Sequence, residues 1–317
     1  MQLIRDYQGL PPAATGAVVA IGNFDGLHRG HRALLARCRT VARDAGLPMG
    51  LLTFEPHPRS VFNPDGPPFR LTPFRSKLRL LATLGVERCY CLRFNAALHG
   101  KPAEAFIADV LAGGLGVRHV VVGYDFVFGH RRGGNAELLQ ELGPRHGFAV
   151  SVLPAVTHGE DVCSSTVIRK DLEAGRVRRA AELLGRWWEV EGRVRHGHRR
   201  GRTIGFPTLN LHLAPGALRP ALGVYAVRIA LDRDGAADWL PGVANFGRRP
   251  TVDGTSLVLE AHVFDFSGDL YGRRVRVAFV DYLRGERKFP SLAALQAQIA
   301  EDGAAARGLL ARPDAAF

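Results

Sequence analysis

Residues 17 to 54 read AVVAIGNFDGLHRGHRALLARCRTVARDAGLPMGLLTF, and this stretch decides the fold of the first half of the chain. The apolar runs at its two ends, AVVAI and MGLLTF, are typical of buried strands. Between them, Leu34, Leu35 and Cys38 recur at helical spacing. Gly46 then predicts the end of the helix. A strand, a helix and a second strand in this order predict parallel strands joined by a crossover helix.

The same alternation continues to about residue 153. Further strands are predicted at 87 to 92, 118 to 123 and 148 to 153, and further helices at 74 to 84, 102 to 112 and 135 to 146. Strands that alternate with helices predict a doubly wound parallel sheet, in the α/β class.

After about residue 186 the rhythm changes to strand-like stretches separated by Gly, Pro and Asp turns. These stretches are WWEVEGRVRHG (187 to 197), GVYAVRIAL (223 to 231), WLPGVANFG (239 to 247), SLVLEAHVFDF (256 to 266) and RRVRVAFVDYL (273 to 283). They favour an all-β antiparallel sheet or small barrel. A final helix is predicted after Ser291 as N-cap, with Leu292, Leu295 and Ile299 on its apolar face. We place the domain boundary between residues 183 and 184.

The composition is that of a globular protein. The chain has 317 residues, of which 46% are hydrophobic and 23% are charged, so about two domains are expected and disorder, collagen and coiled coil are excluded. The first residues, MQLIRDYQGLPP, do not resemble an export signal, and no apolar stretch is long enough to span a membrane. Four cysteines without a CxxC pair suit a reducing compartment. We therefore expect a cytoplasmic protein.

The chain is basic, with a formal net charge of +12. Only four of the 42 basic residues are lysines, which leaves 38 arginines. Arginine suits phosphate groups, and a basic chain attracts anionic partners of any kind. Charge alone leaves nucleic acid and free nucleotides open as ligands.

The loop GNFDGLHRGH, residues 22 to 31, carries the first candidate site. Neither a P-loop nor a dinucleotide-binding fingerprint occurs, so a nucleotide must be held in another way. His28 and His31 stand where the first helix begins, and the amino end of a helix at this edge of an α/β sheet attracts phosphate. Two imidazoles there can donate to phosphate oxygens, and Gly30 lets the backbone approach closely. The alternative is a capping histidine beside a packed one.

Two further segments suggest nucleotide contacts. GYDFVFGHRRGG, residues 123 to 134, follows a strand, and its Asp125 can bind magnesium, a ribose or an adenine amine. Phe126 or Phe128 can line a pocket for a ring, although a capping Asp and a core Phe explain the segment equally simply. CSSTVIR, residues 163 to 169, offers two hydroxyls and an arginine as a phosphate clamp, with a helix-capping box as the alternative.

The motifs HxGH, DFxFG and SSTxIR occur in this order in the first half. The second half contains GRVRHGHRRGRTIGFPTLNL (192 to 211), GVANFGRRPTV (242 to 252), LEAHVFDF (259 to 266) and LRGERKFPSL (283 to 292). Together they resemble the bacterial bifunctional riboflavin kinase/FAD synthetases over nearly the whole chain.

This resemblance implies a Rossmann-like nucleotidyltransferase domain over 1 to 183, which joins FMN and ATP into FAD and pyrophosphate without a covalent enzyme intermediate. It also implies a riboflavin kinase domain over 184 to 317, a six-stranded antiparallel β-barrel with a C-terminal helix, which makes FMN from riboflavin and ATP. Mg²⁺ is implied for both steps. In the first domain the resemblance assigns phosphate binding to His28 and His31 as catalytic residues, and nucleotide binding to Gly22, Phe24, Asp25, Gly26, Gly30, Asp125, Ser165, Thr166 and Arg169.

In the second domain the resemblance assigns Thr208 and Asn210 to the metal, on a motif that reads PTLN here instead of PTAN, and Glu260 to the catalytic base. Alternation places Thr208 and Asn210 on one face of a strand. Glu260 faces away from Leu259 and Ala261, and a carboxylate that faces inward near the substrate alcohol can accept its proton. An arginine across the sheet is the alternative partner for Glu260. The preceding loop, with Gly201, Gly205 and Pro207, is expected to close over phosphates.

Other interpretations stay open at this point. One activity can be lost, which leaves an adenylyltransferase with a degenerate kinase half, and the basic β-rich half can be an RNA-binding barrel. Against RNA, its aromatic residues do not interleave with the basic ones. His196 and His198 suggest a metal pair, but no third ligand stands near them, so we treat them as loop residues. We expect nucleotides and flavins as partners, no nucleic acid, no membrane, and a monomer or weak homo-oligomer.

Overall fold

The computed structural model describes residues 1 to 195, 206 to 231, 238 to 251 and 254 to 315. Its contacts divide the chain into two compact units. The first unit consists of Met1–Pro67 and Phe74–Cys163, and the second consists of Pro68–Pro73 and the chain from Ser164 onward. The units are therefore not simply consecutive, because six residues from the first half of the sequence belong to the second unit.

The first unit alternates strands and helices, as the sequence predicts. Its strands are β1 (Gln2–Ile4), β2 (Val18–Ile21), β3 (Met49–Glu55), β4 (Arg88–Arg93), β5 (His119–Gly123), β6 (Val127–Phe128), β7 (Gly134–Asn135), β8 (Ala149–Leu153), β9 (Thr157–His158) and β10 (Asp161–Val162). Its helices are α1 (Arg29–Ala45), α2 (Pro58–Phe62), α3 (Phe74–Thr83), α4 (Ala96–His99), α5 (Ala103–Ala105, continued as π-helix over Phe106–Gly114) and α6 (Ala136–Leu142).

Six of these strands form one parallel sheet in the order β1-β4-β3-β2-β5-β8. Successive residues of β2 point to opposite faces, so Val19 and Ile21 pack in the core on one face while Val18 and Ala20 pack in the core on the other. Both faces are thus covered, and the doubly wound parallel sheet is confirmed.

Two local predictions in this unit are wrong. The segment 102 to 112 is not one regular α-helix, because its last two turns are π-helical and run to Gly114. The predicted helix over 135 to 146 ends at Leu142, and a short 3₁₀ turn, Pro144–His146, follows it. The pairing of β1 with β4 at the sheet edge was not anticipated, since Gln2–Ile4 is too short to give a pattern.

The second unit begins with two helices and continues as strands. Its helices are α7 (Ser165–Glu173), α8 (Val177–Leu184) and α9 (Leu292–Leu310), and its strands are β11 (Trp188–Arg193), β12 (Leu209–Leu211), β13 (Gly223–Leu231), β14 (Trp239–Thr251), β15 (Gly254–Val263) and β16 (Arg274–Arg284). The strands form an antiparallel sheet in the order β11-β16-β13-β14-β15-β12.

The sheet of the second unit curls into a barrel. Its two edges approach each other where the backbone N–H of Arg195 donates to the carbonyl of Asn210 at 2.9 Å. Large side chains fill the interior, with Trp188, Tyr225 and Phe279 all fully buried. The segment 68 to 73 contributes to this unit, since the indole N–H of Trp188 donates to the carbonyl of Leu71 at 2.9 Å.

The final helix has the predicted cap but a different buried face. The Ser291 hydroxyl accepts from the N–H of Ala294 at 3.1 Å, as expected of an N-cap. Leu292, however, is 60% exposed, so the expectation that it lies on the buried face is wrong. Ala306, about one turn before the end of α9, and Leu310, its last residue, pack in the core instead. Within the ranges given above, none of the helices has both the length and the apolar character that membrane crossing requires.

Candidate functional site

The loop between β2 and α1 is buried and strained. Phe24 and Leu27 are fully buried and have φ angles of 50° and 48°, which L-residues rarely adopt. Gly26 has φ 89°, where glycine has no Cβ to clash. Asp25 is also buried, at 3% exposed. Strained backbone of this kind persists only where the surroundings hold it, and it is concentrated at functional sites.

His28 and His31 close this loop onto the amino end of α1. His28 is the N-cap, and its Nδ1 accepts from the backbone N–H of His31 at 3.4 Å. Their rings are stacked with centroids 3.7 Å apart, and the ring of Phe24 lies 5.1 Å from that of His31. Because Nδ1 of His28 accepts, the proton of its neutral imidazole is on Nε2, which can donate to a ligand. The capping and ligand-binding interpretations of His28 are therefore compatible.

Gly30 allows the two histidines to pack this closely. A Cβ at this position would lie 3.1 Å from the Cε1 and Nδ1 atoms of His28 and 3.3 Å from the carbonyl oxygen of Cys163. At position 22, a Cβ would lie 3.3 Å from the ring of Phe24. The glycines at 22 and 30 thus leave room for the side chains that shape this end of the helix.

Asp125 lies at the same edge of the sheet. It follows β5, which is the direct neighbour of β2, so both connecting loops leave from the carboxyl ends of adjacent parallel strands. Its side chain is exposed and turns back over the strand end, because a Cβ at Gly123 would lie 3.1 Å from its Oδ1. Phe128 packs in the core with Phe106, at a centroid distance of 5.5 Å, and Phe126 stacks on Phe128. The core interpretation therefore holds for Phe128.

An aromatic cluster at this edge was not found from the sequence. Phe54 ends β3 and Phe94 follows β4, and their centroids are 5.8 Å apart. Phe62, which is 67% exposed, packs edge-on against Phe94 at 5.7 Å, and His99 lies 5.3 Å from Phe62. The available signal was an aromatic residue at the end of each of two neighbouring strands. The cluster presents an apolar surface beside the loops that carry the polar candidates.

The residues of the SSTxIR motif lie on α7, in the second unit. Ser164 is the N-cap, and its hydroxyl accepts from the N–H of Val167 at 3.3 Å. Ser165 and Thr166 therefore occupy the first turn and not the cap. The guanidinium of Arg169 lies over the ring of Phe69 at 5.4 Å, and its Nε donates to the Phe69 carbonyl at 2.8 Å.

In the barrel, the polar candidates form one cross-strand row. Glu260 on β15 is directly opposite Asn210 on β12 and directly opposite Asn245 on β14. Opposite residues in an antiparallel pair share a face, with Cβ atoms about 5 Å apart. The residues directly opposite Glu260 in both registers are thus amides. Asn245 was missed, although β14 and β15 are consecutive strands, because their sequences do not show at which residue the pairing begins.

The expectation that Glu260 faces the barrel interior is wrong. Leu259 and Ala261, its neighbours on β15, are fully buried in the interior, so alternation places Glu260 on the outer face. The same outer face carries Val243, which is two residues before Asn245 and packs against the apolar cluster that includes Ala306 of α9. Glu260 itself is half-buried. The row is therefore a partly sheltered surface that continues from the face covered by α9.

The donors in this row suit a hard cation. The side chain of Asn210 is buried, at 6% exposed, and its amide nitrogen donates to the carbonyl of Thr208 at 3.4 Å, which turns the amide oxygen away from that carbonyl. Amide and hydroxyl oxygens are ligands that Mg²⁺ accepts when phosphates and water complete its shell. His262 holds the preceding segment, since its Nδ1 lies 2.8 Å from the carbonyl of Pro207.

Some predictions lie outside the described residues, namely those for Gly201, Gly205, His196 and His198. In the part of the chain that the structure describes, no group of three or more His, Cys, Asp or Glu side chains is placed to hold a metal ion. The Thr208 and Asn210 pair is not of that type, because its donors are a hydroxyl and an amide.

The cysteines are not part of the chemistry. All four are buried and none forms a disulfide. Burial raises the pKa of Cys38 to about 12, and burial likewise raises the pKa of Cys89 to about 12 despite the nearby charges of Lys77 and Arg5. Thiols with such pKa values are poor nucleophiles and poor metal ligands at neutral pH.

Two family models match the chain. A model described as FAD synthetase matches residues 10 to 167, and one described as riboflavin kinase matches residues 184 to 310. The His28, His31 and Asp125 positions fall in the first match, and the row around Glu260 falls in the second.

Relatives match both halves together. A bifunctional riboflavin kinase/FMN adenylyltransferase of Pseudomonas fluorescens is 44% identical over 315 residues, which is 98% of each chain. The protein of the same name from Escherichia coli K12 is 43% identical over 309 residues, 97% of each chain. A solved structure described as a macrolide-efflux protein from Streptococcus pneumoniae superposes with a TM-score of 0.86 at 31% identity, covering 96% of this chain and 98% of that one.

Proposed function

Because the chain belongs to the family of bifunctional riboflavin kinase/FMN adenylyltransferases, we propose that its two reactions use separate catalytic residues, His28 and His31 for adenylyl transfer and Glu260 for phosphoryl transfer. The enzyme phosphorylates riboflavin with ATP to FMN and adenylylates FMN with ATP to FAD. The observation that supports separate sites is the division of the candidates: His28 and His31 are in the first unit, whereas Asn210 and Glu260 are in the second.

For adenylyl transfer, we assign His28 and His31 to the α-phosphate of ATP. An oxygen of the FMN phosphate attacks the α-phosphorus, a bond forms there, and the bond to the β-phosphate oxygen breaks to release pyrophosphate. Negative charge builds on the oxygens of the α-phosphate during attack, and the Nε2–H of His28 and the imidazole of His31 are donors fixed in advance by stacking. The positive end of the α1 dipole acts in the same sense.

The remaining nucleotide assignments of the first site stay proposals. Gly22, Phe24, Asp25, Gly26 and Gly30 shape the loop that the phosphates approach, and Asp125 binds the ribose, the adenine amine or a magnesium ion. A separate proposal assigns phosphate binding to Ser165, Thr166 and Arg169, which lie on α7 in the second unit. The aromatic cluster of Phe54, Phe62, Phe94 and His99 offers a flat apolar surface on which the isoalloxazine ring of FMN can pack.

For phosphoryl transfer, we assign Glu260 to accept the proton of the riboflavin ribityl hydroxyl as that oxygen attacks the γ-phosphorus of ATP and ADP leaves. Glu260 is half-buried and directly opposite two amides, Asn210 and Asn245, and an amide is a side chain that can donate to a carboxylate. Thr208 and Asn210 would hold Mg²⁺, which when bound neutralises phosphate charge. Gly201, Gly205 and Pro207 are assigned to the phosphate-binding loop.

The partners of the enzyme are flavins and nucleotides. We further propose that it binds no nucleic acid, acts as a monomer or weak homo-oligomer, and is located in the cytoplasm. The last is consistent with four cysteines that form no disulfide. A macrolide-efflux activity is the described property of the solved relative alone.

Labelled ATP tests the assignment of Glu260. Purified protein, riboflavin and γ-labelled ATP are expected to give labelled FMN, and α-labelled ATP with supplied FMN is expected to give labelled FAD. The variant Glu260→Gln is expected to lose the first label and keep the second. Glu301→Gln, an exposed carboxylate on α9, serves as the matched control and keeps both. Retention of FMN labelling by Glu260→Gln would remove Glu260 as the base.

A further inference from the structure

One buried lysine of the first unit lies under the loop that carries the candidate histidines. The side chain of Lys77, on α3, is only 2% exposed, and its Nζ donates to the backbone carbonyl of Asn23 at 2.9 Å. The carboxylate of Glu55 lies 3.7 Å from the same Nζ. Lysine is almost never fully buried unless its charge is paired, because removing an ammonium from water costs free energy. Burial of Lys77 is therefore a sign that its charge has a structural role.

The Asn23 carbonyl is where the loop leaves the sheet. The N–H of Gly22 still donates to the carbonyl of Leu52, which continues the pairing of β2 with β3. At the next residue two donors converge on one oxygen: Lys77 Nζ at 2.9 Å and the hydroxyl of the buried Thr53 at 3.4 Å. The peptide between Asn23 and Phe24 is thereby held from two neighbouring elements.

That peptide sets the position of His31. Fixing the Asn23 carbonyl fixes the orientation of the peptide that enters Phe24, whose φ of 50° is unfavourable for an L-residue. The ring of Phe24 then packs 5.1 Å from the ring of His31, which stacks on His28 at 3.7 Å. A continuous path of contacts thus runs from the Lys77 ammonium to both imidazoles.

We propose that Lys77 is a positioning residue for FMN adenylylation: its ammonium holds the Asn23 carbonyl and so keeps the strained loop in the conformation that aligns His31 with the phosphate. Thr53 supports the same carbonyl with a weaker hydrogen bond. This inference rests on the proposed role of His31 in adenylyl transfer. It assigns no contact between Lys77 and the substrate.

The test is a double-mutant cycle between Lys77→Met and His31→Ala, measured as kcat/KM for FMN adenylylation with FMN supplied. If Lys77 acts through His31, Lys77→Met lowers kcat/KM by about tenfold in the wild-type background and by less than about twofold when His31 is already alanine. Protection of the buried Cys38 and Cys89 thiols from a disulfide reagent reports the folded fraction of the first unit. Riboflavin kinase activity of the same chain, which we assign to the other unit, is expected to stay unchanged.

Two matched variants separate positioning from a charge effect. Glu55→Gln leaves the donor to Asn23 but removes the charge facing the buried Lys77, which lowers stability. Any loss of kcat/KM is therefore expected to be the same, within about twofold, whether or not His31 is present. Thr53→Val removes a donor to the same carbonyl without changing charge, and it is expected to lower kcat/KM about threefold only when His31 is present. If the Lys77→Met variant does not fold, Thr53→Val still tests whether a donor to the Asn23 carbonyl acts through His31.

Three results would overturn the proposal. The first is an equal loss from Lys77→Met in both backgrounds, and the second is a parallel loss of kinase activity. The third is a loss from Glu55→Gln that depends on His31 as strongly as the loss from Lys77→Met does. If His31→Ala alone leaves FMN adenylylation intact, the proposed role of His31 itself fails, and this outcome is distinguishable because it does not involve Lys77.

Discussion

The imidazoles of His28 and His31 are stacked 3.7 Å apart at the first turn of α1, and His28 accepts the backbone N–H of His31 through Nδ1. One histidine therefore caps the helix and also orients the other. Both rings are fixed before any ligand arrives, which is what electrostatic stabilisation of a transition state requires. The helix, the loop and the two side chains act as one rigid group.

We expect Gly30→Ala to impair adenylyl transfer specifically. The new Cβ would lie 3.1 Å from two ring atoms of His28 and 3.3 Å from the carbonyl oxygen of Cys163, so the ring must move. Because small misplacements of catalytic groups are costly, kcat for FMN adenylylation is expected to fall about tenfold or more. Steady-state assays of both reactions measure this, and Gly308→Ala on α9, where a Cβ meets no atom within 4 Å, is the control. Unchanged adenylylation in Gly30→Ala would argue against a fixed His28 ring.

The cysteines are expected to resist modification in the folded enzyme. With pKa values of about 12 for Cys38 and Cys89, the thiolate fraction at pH 8 is about one in ten thousand, and both side chains are fully buried. A chromogenic disulfide reagent should therefore leave these two unreacted in the native protein and react with four thiols after denaturation. Rapid reaction of Cys38 or Cys89 under native conditions would show that the core of the first unit opens readily.

The parallel-sheet half was largely predictable from sequence, because strands buried on both faces, such as Val18–Ile21, appear as continuous apolar runs. The position of the two histidines was also predictable. The end of a strand and the start of the next helix show where the loop between them lies. The sequence did not reveal that 68 to 73 joins the second unit, since this depends on contacts such as Trp188 with Leu71, 117 positions apart.

The position of Glu260 on the barrel shows what could not be predicted from the sequence of the second half. Alternation correctly placed Glu260 on the face opposite Leu259 and Ala261, but the expectation that this face lies inside the barrel was wrong, because alternation does not distinguish the two faces. The register that sets Asn245 opposite Glu260 joins two consecutive strands, and it could not be read from the sequence because the first paired residues of these strands were not known. The π-helical turns of α5 were missed because a short apolar segment has no pattern that separates a π-helix from an α-helix.

The ion pair between Asp302 on α9 and Arg284 on β16 is expected to stabilise the second unit. Asp302, 6% exposed, accepts from Nε and Nη2 of Arg284 at 2.9 and 2.7 Å and from Gln298 at 2.9 Å. Asp302→Ala leaves the arginine unpaired, so we expect a loss of about 3 kcal/mol in unfolding free energy. All three tryptophans belong to this unit, so their fluorescence during denaturation reports it. Arg284→Met combined with Asp302→Ala is expected to recover part of the loss, whereas a deeper loss would contradict this explanation.

The exposed ion pair of Arg307 and Asp265 is expected to make a pH-dependent contribution to the free energy of unfolding. The hydrogen bond from Arg307 lowers the pKa of Asp265 below its ordinary value of 3.8. A lowered folded-state pKa stabilises the fold above the unfolded-state value, and this contribution is lost as pH falls through the folded-state pKa. The stability difference between wild type and Asp265→Asn should therefore be present at pH 6 and disappear on acidification below about 4. It should also shrink at high salt, and a difference that grows in acid would refute the pairing.

The central claim is that the two reactions depend on different catalytic residues, adenylylation on His31 in the first unit and phosphorylation on Glu260 in the second. Purified wild type, His31→Ala and Glu260→Ala are incubated with riboflavin, ATP and magnesium, and the flavins are separated by chromatography, with His146→Ala, an exposed histidine, as control. His31→Ala is expected to stop at FMN, whereas Glu260→Ala is expected to make no FMN yet still convert supplied FMN to FAD. Full conversion of riboflavin to FAD by both variants would contradict the account.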